Sequence, residues 1–148
     1  EAPGAQEVAK GKPFVGPAGK VFDRCLAAAG IEREQCRVSN VVHCLDFERD
    51  DRKPLPAEIE ACSGSLRSEI RECSPKVICA MGAVALGVFT PGFTISRARG
   101  KLRAWPFDGR AIPILATYHP AFALPSRSPQ TAELIVEDFL LLKAICAT

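Results

Sequence analysis

The chain has 148 residues, of which 47% are hydrophobic and 24% charged, the balance of one ordinary globular domain, so residues 1–148 are read as a single unit. A formal net charge of +2 excludes a global basic field as the means of holding nucleic acid, and any basic footprint must be local. No apolar run approaches the roughly 18 residues of a membrane span, and Glu1-Ala2-Pro3-Gly4 is unlike a signal peptide.

In chain order, residues 1–19 are rich in Gly and Pro and read as an ordered loop system, long enough to suggest function. Val21, Phe22, Cys25 and Leu26 share one face of a helix predicted from Ala18 to Ala29, with Gly30 as its stop. Arg37–Val42 reads as a short strand, and Leu45–Pro56, full of charge and Pro, as a loop. Pro56 suits the first turn of a helix running to about Glu72, with Ile59, Cys62, Leu66 and Ile70 on one stripe. Lys76–Met81 is a β-rich apolar run, Gly82 a turn, and Ala83–Gly87 a short helix. Two strand-like runs between Lys101 and Ala116 flank Asp108-Gly109, a hairpin signal, and Glu133–Ala144 closes the pattern as an amphipathic helix.

Strand–helix alternation implies an α/β sandwich with a largely parallel sheet, with a further strand expected before Glu1. Ligands of such sheets bind in loops at the carboxyl ends of the strands. Three loops therefore hold the candidate chemistry. The first contains Glu1-Ala2-Pro3-Gly4-Ala5 and Lys12-Pro13-Phe14-Val15-Gly16-Pro17, where Gly-rich backbone can approach a ligand and Phe14 can stack on a planar ring. The second contains Ser39-Asn40-Val41-Val42-His43-Cys44, where the Asn40 carboxamide offers a donor and an acceptor together. The third is Tyr118-His119-Pro120-Ala121, with a histidine where a strand ends. Singly, each has an ordinary structural explanation: a tight loop, a core plug, a cap, a structural imidazole.

Seven cysteines, an odd number with no Cys-x-x-Cys pair, fit reduced thiols in a cytoplasm better than a disulfide framework. Cys25, Cys79 and Cys146 sit in apolar runs, as small buried hydrophobes do. Cys44 and Cys62 lie beside polar, turn-rich stretches instead.

As an ordered set, these segments resemble the uracil-DNA glycosylase superfamily: Glu1-Ala2-Pro3-Gly4 with Pro13-Phe14-Val15-Gly16, then Asn40-Val41-Val42-His43-Cys44, then His119-Pro120-Ala121. Glu58–Cys62, Pro75–Ile78 and Ile95–Gly100 match the same family, and the likeness covers almost the whole chain. It implies a three-layer α/β/α sandwich around a mostly parallel four-stranded sheet, and a monomeric bacterial or archaeal repair enzyme, cytoplasmic and nucleoid-associated, that takes uracil out of DNA. An enzyme acting on a base must first take it out of the stack. By the resemblance Phe14 stacks on the flipped uracil and Asn40 reads its edge. His119 donates to a carbonyl oxygen, and backbone N–H groups of Gly4 and Ala5 add contacts. Ala2 stands where the best-known branch has the Asp that handles water, so Glu1 is the candidate catalytic carboxylate. Glu7 could orient water as well, and stabilisation of the leaving group could carry most of the catalysis instead.

Cys44 and Cys62 match two of the four cysteine ligands of a 4Fe–4S cluster in the iron–sulfur-associated fourth family, the other two falling before Glu1. The loop Leu45–Lys53 lacks the His of the branch that cross-links to DNA. For DNA grip, Arg97, Arg99, Lys101 and Arg103 recur every second residue and would share a face if the segment were extended. Leu124 and Arg127 are candidates to fill the gap left by the flipped base. Two other functions stay open: a non-catalytic DNA-binding module of the same fold, and a glycosylase taking a wider range of bases.

Overall fold

The computed structural model describes residues 5–43 and 53–148. Three strands, β1 (Ile78–Met81), β2 (Leu102–Phe107) and β3 (Arg110–Thr117), form one sheet in the order β1-β3-β2. β1 runs parallel to β3, and β2 antiparallel to it. Among the described residues the sheet is therefore mixed and three-stranded, not the mostly parallel four-stranded sheet expected. Part of the reason is local. Asp108 and Gly109 both adopt positive φ (47° and 79°), as a two-residue hairpin turn requires, and such a turn can return the chain only antiparallel.

Strand parity builds the layers. Ile112, Ile114 and Ala116 of β3, with Ile78 and Ala80 of β1, face one side of the sheet, and Cys79 and Met81 of β1 face the other. On the first side pack α3 (Pro56–Cys73), α4 (Ala83–Phe89) and the single turn α5 (Ile95–Ala98), through Ile70, Phe89, Leu86 and Ile95. On the second pack α2 (Pro17–Ala28) and α6 (Thr131–Cys146), through Phe22, Leu26, Ile135 and Phe139. Ile135 and Phe139 are fully buried, each worth about 1.5–3 kcal/mol relative to exposure. The α/β/α layering is thus present.

Helix ends follow the residues that allow them. Pro56 opens α3, and the Glu58 carboxylate accepts the Leu55 N–H at 2.7 Å, satisfying a donor the helix leaves unpaired. Residues 1–19 are not all loop: α1 (Ala5–Lys10) is a short helix, ended by Gly11 at φ 67° with its N–H on the Glu7 carbonyl. The six-residue α1 is too short for a periodic signal to stand out from its Gly- and Pro-rich neighbours.

Arg37–Val42 is not a strand, despite its run of valines. Side chains hold this segment instead of a ladder. Glu69 of α3 accepts from Ser39 Oγ at 3.1 Å and pairs with Arg37 at 3.4 Å and His43 at 3.3 Å. Between this segment and β1 lies a cavity of about 640 Å³, so no β1 backbone comes alongside. A strand needs a partner, and local β propensity cannot supply one. Of the three cysteines expected to be buried, Cys25 is so and Cys79 is half-buried, but Cys146 is exposed at the end of α6. Burial pushes the Cys79 thiol up to about 12, so it stays protonated at neutral pH. Among the described residues no helix is long and apolar enough to cross a membrane.

Candidate functional site

β3 ends at Thr117, and the chain passes through Tyr118 to His119, which starts a tight 3-10 turn at Pro120–Ala123. Pro120 presets the turn's first dihedral. His119 Nδ1 accepts the Ala121 N–H at 3.1 Å, and its carbonyl accepts the Phe122 N–H at 3.0 Å. With Nδ1 an acceptor, the neutral imidazole carries its hydrogen on Nε2, leaving that atom as the donor. The backbone at Gly82 comes close to this residue as well. Gly82, at the end of β1, has φ 90°, and a Cβ there would lie 3.0 Å from the His119 Cβ. Only glycine permits that approach.

Phe14 meets His119 from the first loop. Their ring centroids are 5.6 Å apart at 30°, and Phe22 lies 5.1 Å behind Phe14. Phe14 has φ 53°, uncommon for a bulky residue, and such backbone persists only where the surroundings over-determine it. Arg33 does this. Its guanidinium donates to the Phe14 carbonyl at 3.0 Å and the Pro13 carbonyl at 2.6 Å, and pairs with Asp23 at 2.6 Å. Sequence reasoning missed Arg33, since its partners are backbone carbonyls 19 and 20 residues away. A charged residue reaching two carbonyls leaves no periodic or motif signal.

Asn40 is half-buried and lines the 640 Å³ cavity together with Phe14. Glu7 is held structurally, its carboxylate accepting the Gly16 N–H at 3.1 Å beside the start of α2, where a negative group suits the helix dipole. Glu1 and Gly4 lie outside the described residues, and Ala5 opens α1.

The basic row expected at 97–103 does not form. Residues 95–98 are helical, so Arg97, Arg99, Lys101 and Arg103 do not alternate along one extended segment. Arg97 and Lys101 are exposed. Arg103 lies over the Phe93 ring at 3.6 Å. Arg99 turns inward, to Asp138 at 3.1 Å, Glu137 at 3.2 Å and the Leu134 carbonyl at 2.9 Å. Leu124 is half-buried and packs against the cluster of Phe14 and Phe22, whereas Phe122 is 47% exposed and Arg127 lies 5.3 Å from its ring. Phe122 is the exposed apolar side chain nearest His119 in sequence, and the chain there showed no pattern to mark it.

Cys62 is half-buried on α3, and Cys44 lies outside the described residues. Among the described residues no group of three or more His, Cys, Asp or Glu side chains converges to hold a metal ion. They do not make up the four thiolates of a 4Fe–4S cluster.

Phe14 and the hydrogen-bonded His119 imidazole meet at the carboxyl end of β3, the place where ligands of α/β sheets bind. The chain belongs to the Uracil DNA glycosylase superfamily, whose family model matches residues 1–140. It is similar to a type-4 uracil-DNA glycosylase of Thermotoga maritima, 37% identical over 93% of this chain and 70% of that protein. It is also similar to type-4 uracil-DNA glycosylases of Archaeoglobus fulgidus, 36% identical over 99% of this chain and 74% of the relative, and Sulfurisphaera tokodaii, 34% identical over all of this chain and 68% of the relative.

Proposed function

We propose that this protein excises uracil from DNA by hydrolysing its N-glycosidic bond, leaving an abasic site. The observation that carries this reading is the Phe14–His119 pair, an aromatic ring beside an imidazole whose Nδ1 accepts from the Ala121 N–H, which places the ring hydrogen on Nε2. The names of the similar proteins support the same substrate. Phe14 stacks on the extruded uracil. Asn40 reads its edge, and the Gly4 and Ala5 N–H groups add contacts.

As the C1′–N1 bond breaks, its electron pair moves onto the uracil ring, and charge grows on the carbonyl oxygen that Nε2–H faces. A donor fixed in place before the reaction lowers the barrier because nothing has to reorganise. Water adds its oxygen to C1′ and its proton ends on the departing uracil. Glu1 is the group proposed to orient that water. Arg97, Lys101, Arg103 and Arg127 are the proposed phosphate contacts, with Leu124 beside the vacated base position; Arg99 is committed to the interior.

A labelled oligonucleotide carrying one uracil, treated with the protein and then with alkali, is expected to break at that position alone. An intact strand from both single- and double-stranded substrate would overturn the reading. Cys44 and Cys62 are the two ligands this chain would offer a 4Fe–4S cluster, and no step of excision is routed through one. Iron analysis of the purified full-length protein is expected to find about four iron atoms per chain; iron-free protein of full activity would remove the cluster from this reading.

A further inference from the structure

Behind His119, on the face of the sheet opposite α4 and α5, is a buried polar cluster that base recognition does not use. Thr117, the last residue of β3, is fully buried, and its hydroxyl donates to Asp138 Oδ2 at 2.7 Å. Asp138, on α6, is 2% exposed. Arg99 completes the set, donating through Nε to Oδ2 at 3.1 Å while its terminal nitrogen reaches Oδ1 at 3.1 Å. Burial pushes the Asp138 carboxyl up, and the Thr117 hydroxyl and Arg99 guanidinium oppose it. Stability alone is a poor account of such a set, because a buried ion pair is commonly no better than apolar packing of the same volume.

Its location suggests another use. Thr117 is two residues from His119, and its carbonyl accepts the Gly82 N–H at 3.0 Å, the same Gly82 whose missing side chain admits the imidazole. The cluster thus joins the end of α5, the end of β3 and the middle of α6 at the point where the chain leaves the sheet for the site.

We propose that Thr117, Asp138 and Arg99 are positioning residues that set the exit of β3 and so aim His119. The inference rests on the assignment of His119 made under the proposed function. None of the three touches the reacting ring. They act by removing the freedom of the Thr117–Tyr118 backbone, and small errors of aim are costly: a displacement near 1 Å can slow a reaction by about 10²-fold.

A double-mutant cycle separates aim from general stability. Single-turnover excision and oligonucleotide affinity are measured for Thr117→Val, Thr117→Ser and Asp138→Asn, each with His119 intact and with His119→Ala. With His119 intact, Thr117→Val is expected to slow excision about tenfold at unchanged DNA affinity, and Thr117→Ser, which keeps the hydroxyl, to restore the rate. With His119→Ala, Thr117→Val is expected to cost nothing more, because the group it aims is gone. Equal losses in both backgrounds, or a folded Thr117→Val with the parent rate, would overturn the inference. Should Thr117→Val fail to fold, Asp138→Asn, which keeps an acceptor for Thr117 but not the charge facing Arg99, runs the same cycle with the same outcomes. A His119→Ala protein as fast as the parent would sink the assignment of His119 instead.

Discussion

Replacing His119 by Ala is expected to slow uracil excision by about 10²–10³-fold while leaving DNA affinity nearly unchanged, the usual cost of one donor aimed at developing charge. The reason lies in the fixed tautomer. Ala121 N–H holds Nδ1 at 3.1 Å, so the donor at Nε2 is ready before the bond begins to break. A side chain at position 82 would crowd His119, so the close approach of the two segments depends on Gly82. A single-turnover assay at saturating enzyme reads the chemical step without product release. A loss confined to affinity, with the chemical rate intact, would show that His119 only helps to hold DNA. His119→Gln is the informative companion, since a carboxamide can also donate and should recover part of the loss if donation is the role.

Gly19→Ala is the largest expected effect on stability, and two arguments give it opposite signs. Gly19 lies in the first turn of α2, and helix propensity alone favours Ala there by about 1 kcal/mol. The structure says otherwise. A Cβ at Gly19 would overlap the Phe14 carbonyl, which is backbone and already fastened by Arg33. Neither side can give way cheaply, because Phe14 sits at φ 53° with its ring packed beside Phe22 and His119. Overpacking of a fixed backbone costs about 1–3 kcal/mol, more than the propensity gain, so the variant is expected to be destabilised. It should also lose excision rate, because the yielding atom belongs to the stacking residue. Urea unfolding measures the first and single-turnover excision the second. A variant more stable than the parent would mean that the Phe14 loop is softer than its contacts suggest.

The residues proposed to meet the base were legible as a set, although none was legible singly. Phe14 precedes α2 and His119 follows β3, elements whose pattern was clear, and the order of Phe14, Asn40 and His119 along the chain matched a family. The supporting residues were not legible. Arg33 donates to backbone carbonyls and Asp138 accepts from Thr117 and Arg99, partners far along the chain, and nothing in their neighbours marks them. Arg99 shows the same limit from the other side. Its spacing with Arg97, Lys101 and Arg103 pointed to a phosphate-facing row, but a turn of helix at Ile95–Ala98 rotated it inward to Asp138.

The division between the two sources of knowledge follows the range of the forces involved. Helices α2, α3 and α6 and the Asp108-Gly109 hairpin were determined by the sequence, because side-chain period, Pro at a helix start and Gly at a turn act within a few residues. Tertiary structure alone decided whether an apolar run became a strand. Ile78–Met81, which has no valine, found β3 beside it, whereas Arg37–Val42, with three valines, is held by Glu69 and lines a cavity. Packing alone also decided which charges face solvent and which are buried behind the site. A hydrogen bond between residues 21 or 39 positions apart depends on where whole elements dock, and no local pattern carries that information.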